Sequence, residues 1–415
     1  MVRFFYDLIN INAKIKLVIQ YKGGTLMKRI GISVYPDFDD IETIKQQLDF
    51  ISELGYTDLF TSIQLGDLGF ENAGIGLSDA FIFLFNYCHE KNIIAHVDIN
   101  DRMLEMLGAT VDNLKPIYDL KMPIIRLDGG FTPEQTAQMT HNPYGIIIEE
   151  NASAIIYTEA KIEFMKQHAN LNQYYACHNF FPLNETGIAF EDVRKTCELY
   201  HNAGIQAGVF IGSLYSSSDL NAVGHGIVTV EDHRYKPSHI QAMEYFACPE
   251  FDYVIFGDSH PSKEEIIEVA RVAKNDHYDY LKTIYKSTGY DFPLINGVYC
   301  VEIPVWLDKS IDEQLRYTLT HTIFQARIDQ PDFIVRTGHS RGICNMESYL
   351  PIERQAYSLC ICNDQANRYN GELSIPLKDL PPVSYQNVVG MVKPYGKRLV
   401  ELTKYGKVLF VLREE

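Results

Sequence analysis

The sequence has no excess of positive charge: 37 lysines and arginines stand against 54 aspartates and glutamates, a formal net charge of −17. Nucleic acids and anionic membranes bind basic surfaces, so neither is expected as a partner, and any phosphate must be caught by a local cationic cluster. No run is long and apolar enough to span a bilayer, and the N-terminus lacks a signal peptide's unbroken apolar centre and small-residue cleavage site. The eight cysteines (Cys88, Cys177, Cys197, Cys248, Cys300, Cys344, Cys360, Cys362) form no C-x-x-C pair and are too sparse for a secreted scaffold. They read as reduced core thiols, and a cytoplasmic setting is expected.

What is present is a chain of 415 residues, 46% hydrophobic, long enough for a large core and for two domains. The first 26 residues show no clear period, whereas Met27 opens a clean strand pattern through Tyr35. Met27 is therefore read as the natural start and residues 1–26 as a translated leader; Lys22-Gly23-Gly24 can be encoded by a purine-rich ribosome-binding sequence. From Met27 one step repeats: a short apolar run, a polar residue or two, then an amphipathic helical stretch. Strand ends fall near Tyr35, Ser62, Asp98, Asp128, Asn151, His178, Ile211 and Gly257. Eight such units predict an α/β fold, a closed (βα)8 barrel over residues 27–288. A doubly wound open sheet is the rival, but Pro36-Asp37-Phe38-Asp39-Asp40 stands where its glycine-rich turn belongs. Over residues 289–415 the rhythm changes to short β-branched and aromatic runs parted by turns such as Asn370-Gly371 and Pro381-Pro382, which predict a small β-rich domain, expected to be a barrel.

Active sites of such barrels lie at the C-terminal strand ends, and that rim is rich in carboxylates: Asp98, Asp101, Asp128, Glu149, Glu150 and Asp258. Glycoside hydrolysis uses a pair of these, one to protonate the leaving oxygen and one to stabilise or attack the anomeric carbon. Residues two apart on a strand share a face, so Arg126 and Asp128 look one way and Glu149 and Asn151 the same way, with Glu150 opposed unless a bulge re-aims it. Asp128 and Glu149 are the expected acid and base or nucleophile, with Glu150 beside them. Asp98, Arg126, Asn151, His178, Asn179, Glu231, His233, Arg234 and Asp258 are the expected barrel residues for substrate binding. In the β-rich domain Arg336, His339, Ser340 and Arg341 form a positive cluster suited to a phosphate or carboxylate.

Each choice has a plainer reading. Strand-end carboxylates often cap helices or pair with an arginine, His96 reads as a packed residue, and Phe180-Phe181 as core or a sugar-stacking wall. A metal-dependent hydrolase is the enzymatic competitor, since His178, His225, His233 and Asp258 could converge. Against it, the first strand has no histidine and no H-E-x-x-H occurs. No cofactor and no metal are expected.

The motifs resemble the bacterial 6-phospho-N-acetylmuramidases of MupG type from Met27 onward. The resemblance is carried by Ile30 to Pro36, Phe60-Thr61-Ser62, Arg126 to Phe131, Asn151-Ala152-Ser153, His178 to Pro182 with Thr186-Gly187, His225-Gly226, Glu231 to Arg234, and Thr337 to Gly342. It implies a barrel joined to a cyclophilin-like β domain, acting in peptidoglycan recycling. The substrate implied is N-acetylmuramic acid 6-phosphate β-1,4-linked to N-acetylglucosamine. Double displacement, single displacement through water, and attack by the substrate's own acetamido group all remain open. A phosphosugar sensor without catalysis is the non-enzymatic alternative; it would not need the carboxylate pair.

Overall fold

The computed structural model describes residues 27–63, 77–216, 226–275, 299–338, 340–406 and 408–415. The expected leader, the junction at 288/289, His225 and His339 lie outside them. The described residues form two compact units, one running through Ala242 and resuming over Pro249–Ala273, the other comprising Met243–Cys248 and Lys274–Glu415.

The first unit is a closed barrel of eight parallel strands in sequence order: β1 (Arg29–Ser33), β2 (Asp58–Ser62), β3 (Ile94–Asn100), β4 (Ile124–Gly129), β5 (Ile147–Asn151), β6 (Tyr174–Cys177), β7 (Gln206–Ile211) and β8 (Tyr253–Phe256). Register pairs β8 back to β1 through Val254 and Ile30. Sequence punctuation sets the helices between strands. Asp40 caps helix Ile41–Leu54 by accepting from the Thr43 amide at 2.7 Å, Ile44, Leu48 and Ile51 bury one face, and Gly55 ends it at φ 90°. Thr132 and Gln135 form a reciprocal capping box at helix Pro133–Met139, which fixes the chain just past β4.

Alternation divides each strand between helix-facing residues such as Ile30, Leu59, Val97 and Ile125 and an inward set. That inward set includes Phe60, Ile124, Ile147, Tyr175, Cys177, Phe210, Tyr253 and Ile255, which pack together in the barrel interior. Gly208 is required there, because a Cβ on it would overlap the Tyr253 ring.

The second unit is a seven-stranded mixed sheet built from β9 (Cys300–Leu307), β10 (Phe324–Gln325), β11 (Ile334–Arg336), β12 (Ser358–Cys362), β13 (Leu373–Pro376), β14 (Gln386–Val392) and β15 (Leu409–Glu414). Its order is β10-β15-β9-β14-β12-β13-β11, with β9 and β15 parallel and the other pairs antiparallel. The sheet curls until its edges meet: a bridge between Ala326 and Thr337 and an Arg327 amide to Arg336 carbonyl bond at 2.8 Å join the chain beyond β10 to that beyond β11. All eight cysteines are buried thiols outside any disulfide. Among the described residues no helix is long and apolar enough to cross a membrane.

Candidate active site

The C-terminal strand ends gather a polar group around one guanidinium. Arg126 on β4 is buried, and its Nη1 donates to Asp98 Oδ1 at 2.7 Å and to Asp128 Oδ1 at 3.5 Å; its Nη2 bonds Asn179. Register explains the group, since Asp98 of β3 is level with Arg126, and Asp128 follows two residues later on the same face. Ser62 at the end of β2 donates to the second Asp98 oxygen at 3.1 Å. Asn179 is held from behind by its own amide, which donates to Ser153 Oγ at 2.8 Å. The Asp128 side chain is 41% exposed, against 8% for Asp98, so Asp128 is the carboxylate of this group that meets solvent. Gly130, at φ 81°, carries the turn beyond it, and a Cβ there would collide with the Asp101 carboxyl. Phe180, next to Asn179, packs edge to face on Phe60 and Phe210 with centroids 5.7 and 5.1 Å away; Phe60 and Phe210 belong to the buried barrel interior, and Phe180 is the partly exposed member.

Glu149 lies deeper than the sequence suggests. It is level with Arg126 and Asp98, one inward layer below Asp128, and is fully buried. Its Oε2 is 2.7 Å from His96 Nδ1 and accepts from Tyr253; its Oε1 is 4.0 Å from Arg126 Nε, and neither of those two atoms has a hydrogen-bond partner. Burial opposes ionisation of Glu149, but His96 and Arg126 outweigh it and hold the carboxyl below its ordinary range.

Other expected site residues have structural employment. Glu150 is corrected from catalysis to support: it faces away from the interior, bonded to Tyr174 and Lys161, as strand parity requires without a bulge. Asn151 accepts from the Ser153 amide at 2.9 Å. Glu231 accepts from the Glu185 and Gly187 amides at 2.9 and 2.8 Å and from Arg234; chiefly through Arg234, its pKa falls to about 2. Arg234 is fully buried and donates to the Phe181 and Gly226 carbonyls at 3.0 and 2.8 Å. This pair therefore laces the loops after β6 and β7 together and cannot present its charge to a phosphate. His233 is buried against Phe190. His178 is buried as well; desolvation and the nearby Arg126 push its pKa down to about 3, so it is neutral and offers no cation. Asp258 accepts from the Ser213 and Ile227 amides at 2.8 and 3.0 Å, and burial raises its pKa to about 6. Among the described residues no three histidine, cysteine or acidic side chains come together as a metal site.

In the second unit, Arg336 and Arg341 do converge, and they do so on buried Glu372, with Nε to oxygen distances of 2.8 and 2.7 Å. Each keeps close to 30% of its side chain exposed, and Arg341 lies 4.3 Å over the Tyr369 ring. Ser340 is buried, bonded to Thr337 at 2.9 Å and accepting from the Leu373 amide at 2.8 Å.

Sequence reasoning missed the residues below the strand ends: Arg29, Asp58, His96 and Tyr253. All four occupy inward strand positions, and the alternation used to choose Asp128 would have flagged Asp58 and His96 as polar side chains facing a barrel interior.

Two family models match the chain, 6-phospho-N-acetylmuramidase N-terminal over residues 30–271 and 6-phospho-N-acetylmuramidase C-terminal over residues 301–410. A search of curated proteins found no match. Among solved structures, an uncharacterised Bacillus cereus protein is 24% identical with a TM-score of 0.74, over 94% of this chain and 100% of that one. A conserved Enterococcus faecalis protein of unknown function is 23% identical with a TM-score of 0.63, over 93% and 96%. Both share the fold. With matches that span both units, the chain belongs to the 6-phospho-N-acetylmuramidase family and is a glycosidase.

Proposed function

We propose that the enzyme hydrolyses the β-1,4 bond between N-acetylmuramic acid 6-phosphate and N-acetylglucosamine, in cytoplasmic recycling of peptidoglycan fragments. The observation that carries this reading is the pair Asp98 and Asp128 sharing one Arg126 nitrogen at the strand ends. With both oxygens within 3.5 Å of that nitrogen, they are closer than the ~6.5–9.5 Å that leaves room for a water in an inverting site. The reading is therefore a retaining reaction, with either an aspartate or the substrate's acetamido oxygen attacking the anomeric carbon. Asp128, the exposed member, is assigned the protonation of the leaving oxygen; this replaces the Asp128 and Glu149 pair suggested by strand parity, because Glu149 has no exposed surface. Arg336 and Arg341 are assigned recognition of the 6-phosphate or the lactyl carboxylate, for which their paired, part-exposed guanidinium groups are suited.

The test is product analysis by mass spectrometry and NMR after incubation with the phosphorylated and unphosphorylated disaccharides. Cleavage of the phosphorylated one alone, with the β configuration kept in the first product released, is the expected result. Binding without cleavage would favour a sensor, and inversion would rule out the close carboxylate pair as the catalytic device.

A further inference from the structure

Barrel interiors are ordinarily filled by branched apolar side chains, and charge is costly to bury unless it is well paired. This interior holds a file of alternating charges. Arg29 on β1 bonds Asp58 and, at 2.6 Å, Gln206. Asp58 on β2 meets His96 Nε2 at 3.0 Å, and His96 on β3 meets Glu149 of β5 through Nδ1 at 2.7 Å. Glu149 then faces Arg126, which carries Asp98 and Asp128. Both imidazole nitrogens face carboxylate oxygens. A neutral ring has one N–H and can serve only one of them, so the geometry calls for the imidazolium.

The two atoms without partners show what this arrangement achieves. Glu149 Oε1 and Arg126 Nε stand 4.0 Å apart, beyond hydrogen-bond reach, while the same guanidinium makes a 2.7 Å bond to Asp98. Glu149, compensated from below by His96 and Tyr253, does not draw Arg126 down. We infer that His96 is a positioning residue for the hydrolysis: its imidazolium satisfies Glu149 from beneath and so leaves Arg126 to hold Asp98, Asp128 and Asn179 at the strand ends. This inference rests on the functional reading above. Without the His96 charge, Glu149 either takes up a proton or takes Arg126 for itself, and in both cases the group at the strand ends loses its present geometry.

A pH dependence follows. The groups facing His96 are Asp58, Glu149 and Tyr253, with Arg29, Arg126 and the β6 residues Tyr175 and Cys177 one contact further out. Desolvation disfavours the imidazolium, but Glu149 and Asp58 together outweigh it and lift the His96 pKa to about 9. The carboxyls of Asp58 and Glu149 titrate below their ordinary range, and Tyr253, Tyr175 and Cys177 above theirs. Deprotonation of His96 is therefore expected to cost activity as pH rises through about 9.

The experiment measures kcat and KM against pH for the wild-type enzyme and His96→Gln on the phosphorylated disaccharide, with 15N NMR of the wild-type imidazoles alongside. The expected wild-type kcat is level at neutral pH and falls about tenfold per pH unit above the His96 titration. In His96→Gln, kcat at neutral pH drops about tenfold or more, KM changes much less, and the alkaline limb disappears. A folded His96→Gln enzyme with wild-type kcat and an unchanged limb overturns the inference. Should that variant not fold, the wild-type spectra decide: a neutral His96 at pH 7, or a titration that kcat does not follow, overturns it equally. A wild-type enzyme inactive on the disaccharide removes the functional reading and this inference together, whereas an active one with the outcomes above removes the inference alone.

Discussion

The interior of the barrel and the curled sheet of the second unit handle buried carboxylates differently. In the sheet, Glu302 and Glu372 are buried but answered by Arg413, Arg336 and Arg341, whose side chains stay between 28% and 38% exposed. Water still solvates those cations, and the sheet buries apolar residues such as Val301, Ile303, Leu359, Ile361, Leu373 and Phe410 beside uncharged polar ones such as Asn363 and Asn387. In the barrel, Asp58, His96 and Glu149 have no exposed side-chain surface and Arg126 has 3%. Such a network is poor value as stabilisation alone. The barrel thus commits its centre to holding charges in place under the strand ends, while the sheet keeps its cations near the surface.

Removing the barrel's central cation should test that contrast hardest. Arg126→Met leaves buried Asp98, and Asp128 beside it, without their shared cation, and chemical denaturation should show a loss of about 3–5 kcal/mol together with loss of activity. A double-variant cycle comes next. His96→Leu alone should cost about 3 kcal/mol or more, whereas His96→Leu with Glu149→Leu should be the more stable of the two variants, since Arg29 keeps Asp58 and Arg126 keeps Asp98. A double variant weaker than the single would mean that the file is held together by something other than charge balance.

Stability against pH sharpens the same point. The His96 pKa is raised from 6.5 to about 9 in the fold, so its contribution is full below 6.5 and is lost as pH rises through about 9. Asp258 behaves oppositely to an ion-paired carboxyl. Its pKa rises from 3.8 to about 6, so the native state retains a proton that the unfolded chain releases, and stability declines as pH rises across that window. Asp258→Asn should therefore raise the melting temperature at neutral pH, by a gain on the order of 1 kcal/mol, and have little effect near pH 4. The smallest stability change is expected in the sheet. Arg336→Ala should cost less than about 1 kcal/mol, because its pair with Glu372 is solvent-screened and Arg341 remains. Its effect should appear in KM for the phosphorylated substrate, and equal KM values for variant and wild type would remove the arginines from anion recognition.

Much of this was legible in the chain. All eight barrel strands end within two residues of the positions read from the sequence, because a closed parallel barrel repeats one simple pattern. Alternation also puts Arg126 and Asp128 on one face, as they lie in the barrel. Three things were not. The depth of Glu149 depends on interstrand register, which pairs it with Arg126 and is set by the whole barrel, not by β5 alone. Glu231 and Arg234 looked like ligands, yet they serve backbone amides and carbonyls on other loops, partners that no local motif announces. His96 looked like packing because its two carboxylate partners are 38 and 53 residues away. Long-range polar pairing inside a core leaves only a faint trace in sequence, a charged residue at inward parity.

The most direct test of the central claim is the turnover of Asp128→Asn and Asp98→Asn on the phosphorylated disaccharide, with folding checked by circular dichroism. Both carboxylates are assigned to the reacting group, so each substitution should lower kcat by about a thousandfold or more with the fold intact. Turnover within about tenfold of wild type in both variants would contradict the account, because it would leave the Arg126 group without a chemical role.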